Sequence, residues 1–245
     1  PPAESDWESM VKLESIDTEL VRGSLPDEVD NSATQYFPPI GNQGSEGSCA
    51  AFSVGYYIHT YHEAREHGWD LSGASWTGGY TGEPTSDQDR IMSPDFVYHQ
   101  INEGVDNGSM MFHAMRILTQ VGGAGWEQMP YDTDDHSSWP SESAYRDAAQ
   151  YRGVPVGNHY WDYSNSGYFI VRTDTDIDLL KQLIAEGYCV STAVDAGQMY
   201  PIYTSYMDAN DVVSGTSIPV TQTNHANTIV GYKEGTAWDP ANPDD

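Results

Sequence analysis

Two short stretches carry residue types that could act together on a carbonyl. The first is Gln43-Gly44-Ser45-Glu46-Gly47-Ser48-Cys49, which runs directly into a helix expected from about Ser48 to Gly68. A thiol at a helix N-terminus faces unpaired backbone N–H groups and the positive end of the helix dipole. Both favour the thiolate, the nucleophilic form of cysteine. The same N–H groups would stabilise an oxyanion formed when sulfur attacks a carbonyl. Gln43, six residues upstream on a glycine-flanked loop, can fold back and add a side-chain donor. The second stretch is Asn224-His225-Ala226, which opens a β-branched run where an imidazole can be held rigidly as a base. Taken singly, Cys49 or His225 reads more simply as a core residue, since free cysteine behaves as a small buried hydrophobe. The chemistry lies in their combination.

The remaining candidates carry less. His59, His62 and His67 fall on what should be polar turns of the helix, and His99, His113, His136 and His159 have no special context. Cys189 sits mid-strand between Tyr188 and Val190 with no basic neighbour and reads as an inert core thiol. Two cysteines are too few for a disulfide scaffold. A Cys49–Cys189 bridge stays open, but the contexts give the thiols separate roles. The aspartates of TDTDID begin like a calcium loop, but the central glycine is missing and Ala185 stands at the twelfth position. His59 and His62 lack a third ligand nearby. No metal ligand set and no cofactor is therefore expected, and a surface calcium site among the many carboxylates stays open.

Several elements must position these groups. Gly68 suits the C-terminal end of the first helix. Residues 72–90 have no period and read as a long surface loop. Ser93-Pro94 forms an N-cap and first-turn pair opening a helix that stops at Gly104. A further helix starts near Ser109, with Met111, Ala114, Met115, Leu118 and Val121 on one face. Asp176 or Asp178 caps another, with Leu179, Leu180, Leu183 and Ile184 inside. Tyr188 to Val194 and Ala226 to Tyr232 read as buried strands. Trp7, Met10, Val11 and Leu13 suggest a short amphipathic helix or a surface-hugging arm. Helices precede strands, an α+β pattern.

Composition bounds the function. The chain has 245 residues, 37 Asp+Glu against 10 Lys+Arg, and a net charge of -27. Such a charge repels nucleic acids and anionic membranes, and no apolar run is long enough for a membrane span. Aromatic residues at 12% argue against disorder. The acidic surface fits a secreted protein, extracellular or at the cell surface, or one adapted to high salt. The sequence opens without a signal peptide and is read as a mature or trimmed form, or as a protein that never had one. A glycosidase-type carboxylate pair cannot be selected from so many acids.

GNQGSEGSCAAFS resembles the nucleophile segment of papain-like cysteine peptidases, and NHANTIVGY resembles their histidine segment. SPDFVYHQINEG followed by DNGSMMFHAMRIL, then MPYD and LLKQLIAEG, fall in family order. The resemblance runs from about Leu25 to Tyr232. It implies an α+β papain-like domain over 25–245, with a helical left subdomain, a β-barrel-like right subdomain and an active-site cleft between them. It also implies that residues 1–24 are an N-terminal extension or a pro-segment remnant. Cys49 then corresponds to the nucleophile, His225 to the general base and Gln43 to the oxyanion donor. Asn107, Gly108 and Ser109 correspond to the turn that pairs with extended substrate. Met110 and Ala193 correspond to the lining of the main specificity pocket, and Asn224 to a polar neighbour of the cleft. The implied activity is endopeptidase cleavage through a thioester acyl-enzyme. The expected partners are a peptide or protein substrate and a pro-segment or protein inhibitor.

The sequence departs from the family in four ways. Glu46 and Asp106 replace a bridged pair of cysteines, and Ala50 replaces an aromatic, which suggests a more open pocket beside the thiol. The Cys49–His225 separation exceeds the roughly 130–150 residues typical of the family. The loop at 72–90 and residues 200–222 would absorb the excess. The asparagine that orients the histidine has no equivalent segment. Asn242 lies near its expected place, in a loop-like Ala-Asn-Pro context, and the reading preferred is that the sequence stops before the true one. The alternative to an enzyme is a catalytically impaired papain-like scaffold that binds peptides or proteins.

Overall fold

The computed structural model describes residues 11–12, 25–79, 81–153, 167–168, 170–196 and 223–234. A central helical rod organises them. It comprises α1 (Cys49–Ala51), a π-helical stretch Phe52–His59 and α2 (Thr60–His67), which follow one another without a break. Gly68 ends it in the left-handed conformation, φ 66°, as the sequence suggests. Most of the rod is buried, including Ala50, Ala51, Phe52, Val54, Tyr56, Tyr61 and Ala64. Covered on several sides, it has few polar turns to offer. His59 is therefore a core residue, only 6% exposed, with its Nε2 3.0 Å from the Tyr151 carbonyl.

Three short helices pack around the rod: α3 (Pro94–Tyr98), α4 (Met111–Gln120) and α5 (Glu142–Ala148). Ala51 and Val54 meet Phe96, Val97, Ala114, Leu118 and Ala148 in one apolar cluster. Gly55 lets the rod approach α3 closely, because a Cβ there would sit 3.1 Å from Val97 Cγ2. A second cluster joins Phe52, Tyr56, Leu71, Ile91 and Trp126. Trp76 packs edge-on against Tyr56 and Trp126, so residues 72–90 are more than a surface loop. Their irregular backbone delivers an aromatic to the core.

The caps follow side-chain hydrogen bonding. Ser93 Oγ accepts from Phe96 N at 3.1 Å and starts α3. In α6 (Asp174–Ala185) the cap is Thr173, neither Asp176 nor Asp178. Thr173 Oγ1 accepts from Asp176 N, and Asp176 Oδ2 accepts from Thr173 N at 2.8 Å, a reciprocal box.

The strands form three two-stranded ladders among the described residues. β1 (Val11–Lys12) runs parallel to β3 (Gly167–Tyr168). β2 (Glu28–Asp30) is antiparallel to β6 (Gly231–Lys233), and β4 (Val190–Val194) to β5 (His225–Ile229). The architecture is α+β. Val11 and Lys12 are extended, so the arm reading fits there better than a helix; the rest of 1–24 lies outside the described residues. The expected single strand over 226–232 divides at Val230, whose carbonyl accepts from Asn31 N at 2.9 Å. Gly231 permits the switch of partner, since a Cβ there would lie 2.4 Å from the Val29 carbonyl oxygen. β4 and β5 are half-buried rather than buried.

One polar cluster joins the rod to the sheet. The buried Ser53 hydroxyl lies 2.7 Å from Ser191 Oγ on β4 and 2.9 Å from Thr228 Oγ1 on β5. It also donates to the Asn227 carbonyl at 2.9 Å, and Thr228 Oγ1 donates to the Ser53 carbonyl at 3.2 Å. Ser53→Val removes the hydroxyl at the centre and leaves its partners short of a bond. Urea denaturation should show a loss of about 1–3 kcal/mol, whereas the exposed Ser75→Val should change stability by less than about 0.5 kcal/mol.

Candidate active site

The loop before α1 is held from several directions. Gln43 Nε2 donates to the Glu46 carbonyl at 2.8 Å, so its amide folds back as expected and is fixed on its own loop. Tyr131 donates to the Gln43 carbonyl at 2.7 Å, and its oxygen lies 2.6 Å from Ser48 Oγ. Gly47 N donates to Asp106 Oδ1 at 2.7 Å, and Tyr98 donates to the same oxygen at 2.6 Å. The Tyr98 hydroxyl, with help from Gly47 N–H, holds the Asp106 carboxyl below its usual range. Gly47 is obligatory here, because a Cβ would sit 2.7 Å from Gly108 N and 3.0 Å from Asp106 Oδ1.

Cys49 is the first residue of α1 and is partly buried. Burial pushes its thiol above the ordinary value of 9.0, while the backbone amides of Ala226 and Ala50 pull it back. The Ala226 amide shows that the thiol meets the start of β5, where His225 is the first residue. Burial lowers the His225 imidazole below 6.5. Both shifts run toward a neutral thiol and a neutral imidazole, against the direction expected from the helix terminus alone. Cys189 is also free; burial pushes it up to about 12, and it packs with Phe37 and Tyr61.

No protein-family model matches the chain, and no curated protein matches its sequence. Solved structures do. Xylellain, a cysteine protease from Xylella fastidiosa, aligns with TM-score 0.57 and 19% identity, covering 96% of this chain and 79% of that one. The digestive procathepsin L2 proteinase of Tenebrio molitor larval midgut aligns with TM-score 0.63 and 18% identity, covering 96% and 63%. Procathepsin L 3 from the same tissue aligns with TM-score 0.55 and 16% identity, covering 93% and 62%. The fold is papain-like. The chain spans a little under two thirds of the length of each procathepsin.

The other expected site residues belong to the 107–110 turn and to the β4–β5 ladder. Gly108, at φ 79°, abuts Gly47 and carries the 107–110 turn to the nucleophile loop. Asn107 is exposed, Met110 is half-buried at the cap of α4, and Ser109 Oγ is buried without a hydrogen-bond partner. On the ladder, Ala193 is exposed and pairs with Ala226. Asn224 is exposed, and its Oδ1 accepts from Ala196 N at 2.8 Å. Ala50 is 1% exposed, so its small side chain opens no pocket beside the thiol. Asn242 lies outside the described residues.

Sequence reasoning missed Tyr131 and Ser53, whose roles depend on distant partners. It also missed a buried cluster of Glu46, Asp95 and His99. Burial raises Glu46 to about 7. Burial, then the neighbouring Glu46, raises Asp95 to about 9.

Two outcomes follow. Alkylation of Cys49 by iodoacetamide should accelerate by about tenfold per pH unit between pH 6 and 8, because the raised thiol and lowered imidazole leave thiolate scarce below 9; a rate already level at pH 6 would reveal a resting ion pair instead. Gly47→Ala should cost about 1–3 kcal/mol in thermal or urea unfolding and slow that alkylation by displacing the loop.

Proposed function

We propose that this protein is a cysteine endopeptidase. The observation that carries the reading is the Cys49 thiol at the start of a buried helix, set against the His225–Ala226 end of β5 in a papain-like frame. Peptide lies extended between the Asn107–Gly108–Ser109 turn and the strand side carrying Ala193 and Asn224, with Met110 and Ala193 lining the main side-chain pocket. Sulfur attacks the scissile carbonyl as His225 takes the thiol proton. The oxyanion is held by the Cys49 backbone N–H and the remaining amide proton of Gln43, whose other proton is fixed on the Glu46 carbonyl. Collapse breaks the C–N bond, and the amine leaves with the proton from His225. Water, deprotonated by His225, then cleaves the thioester and restores the thiol.

The strongly acidic surface supports a secreted, extracellular or cell-surface setting. Residues 1–24 are proposed as a pro-segment remnant. A second reading is a peptide-binding scaffold without turnover, supported by the burial that raises the Cys49 thiol and lowers the His225 imidazole.

An epoxide-type cysteine-peptidase probe separates the two, with intact-mass analysis and mapping of the labelled residue. Stoichiometric labelling at Cys49 and none at Cys189, lost on denaturation, is the expected result. Cys49→Ala should abolish peptide cleavage with the fold intact, and Cys189→Ala should leave cleavage within about twofold. A folded sample that takes no label and cleaves nothing would overturn the endopeptidase reading for this chain and turn attention to the binding reading.

A further inference from the structure

Glu46 comes from the loop before Cys49, Asp95 from the first turn of α3 and His99 from the residue that caps its end. Their carboxylate oxygens and imidazole nitrogens come within 4.8 Å of one another. All three are deeply buried, at 2%, 1% and 5% exposure. Both Glu46 oxygens, Asp95 Oδ1 and His99 Nε2 have no hydrogen-bond partner among the described residues. The hydroxyls of Tyr131 and Ser48 face Glu46 as well as each other, and Tyr131 donates to the Gln43 carbonyl.

The outward atoms of two of these groups are fixed. His99 Nδ1 lies 2.6 Å from the Ser138 carbonyl, which places a proton on Nδ1, and Nε2 points inward, 3.6 Å from Asp95 Oδ1. Asp95 Oδ2 accepts from Asp132 N at 2.8 Å. Metal-binding histidines and carboxylates are oriented in this way by groups behind them. The inward oxygens of Glu46 and Asp95 face one another and His99 Nε2 deep in the protein, which is strongly unfavourable unless protons or a cation intervene. A pocket of about 490 Å3 reaches Asp95 and His99 from a rim that includes Asp132 and Asp135, an acidic way in for a cation.

We infer that Glu46, Asp95 and His99 form a binding site for one divalent transition cation of the Zn2+ or Mn2+ class. Two carboxylates neutralise the charge of the ion. The imidazole favours a transition metal over Ca2+ or Mg2+, which prefer oxygen donors. Bound there, the ion ties the nucleophile loop to α3.

The test uses Cys49→Ala protein, so that the thiol cannot itself take Zn2+. After removal of metal with a chelator and dialysis against Zn2+, elemental analysis should find one Zn2+ per chain. Thermal melting should rise by roughly 5 °C with saturating Zn2+. Adding Glu46→Gln or His99→Asn should weaken binding by at least about tenfold and abolish the melting shift. Binding of Co2+ to the Cys49→Ala protein gives a readout that needs no ligand variant: visible bands of an ordered nitrogen- and oxygen-ligated site are expected. No retained Zn2+, as when a proton is merely shared between Glu46 and Asp95, would overturn the inference. So would equal binding in both folded variants, equal affinity for Ca2+, or a Co2+ spectrum like that of the ion in water.

Discussion

The meeting of helix and sheet at Ser53 is the contact on which the site depends. Cys49 and His225 belong to different layers and lie far apart in the chain, so neither local propensity nor a short loop can bring them together. Ser53 stands one helical turn beyond Cys49 and therefore on the same face of the rod. Its hydroxyl meets the Asn227 carbonyl and the Thr228 hydroxyl, two and three residues beyond His225. Strand direction is set by the ladder with β4, whose Ser191 completes the cluster. Apolar burial brings the layers into contact without fixing how they slide; directed bonds to a buried hydroxyl supply the register.

The nucleophile loop shows a different solution to a similar need. Papain-like sequences, which this one resembles, usually cross-link this loop with a disulfide at the positions of Glu46 and Asp106. Here Asp106 accepts from Gly47 N and Tyr98, and Tyr131 reaches Ser48 and the Gln43 carbonyl. A covalent tie is replaced by short polar bonds spread over several elements. These bonds form only in the folded state, so they hold the loop without restraining the unfolded chain as a disulfide does. Gly47 is the steric condition, for a Cβ there would strike the Gly108 backbone, and Gly108 supplies the left-handed turn that brings the two strands of chain together.

What was legible in the sequence were features whose cause lies within a few residues. Gly68 ends the rod, Ser93 caps α3, and the thiol precedes a helix because its glycine-rich approach cannot be one. The cap of α6 was misplaced by a few residues because several acids compete there and a threonine with an acid three positions on makes the stronger pair. His59 was misread because amphipathic reasoning assumes a wet face, and this helix has little of one. His99 was passed over for a related reason. Its neighbours Glu46 and Asp95 are brought to it by tertiary packing, and no spacing in the sequence records that. The raised thiol of Cys49 belongs to the same group, since its burial is a product of tertiary packing.

The ladder between β2 and β6 has a further consequence. Glu234 N donates to the Asp27 carbonyl at 2.7 Å, so the first residues of the domain close against the strand that follows His225. The helical layer draws its core from residues 51 to 148, which leave the ribosome first, whereas this closure waits for residues near position 233 to emerge. The thiol is therefore synthesised long before its base exists. Under the proposed chemistry, a growing chain carries a nucleophile that cannot yet be served by His225, and the order of manufacture itself acts as a safety catch.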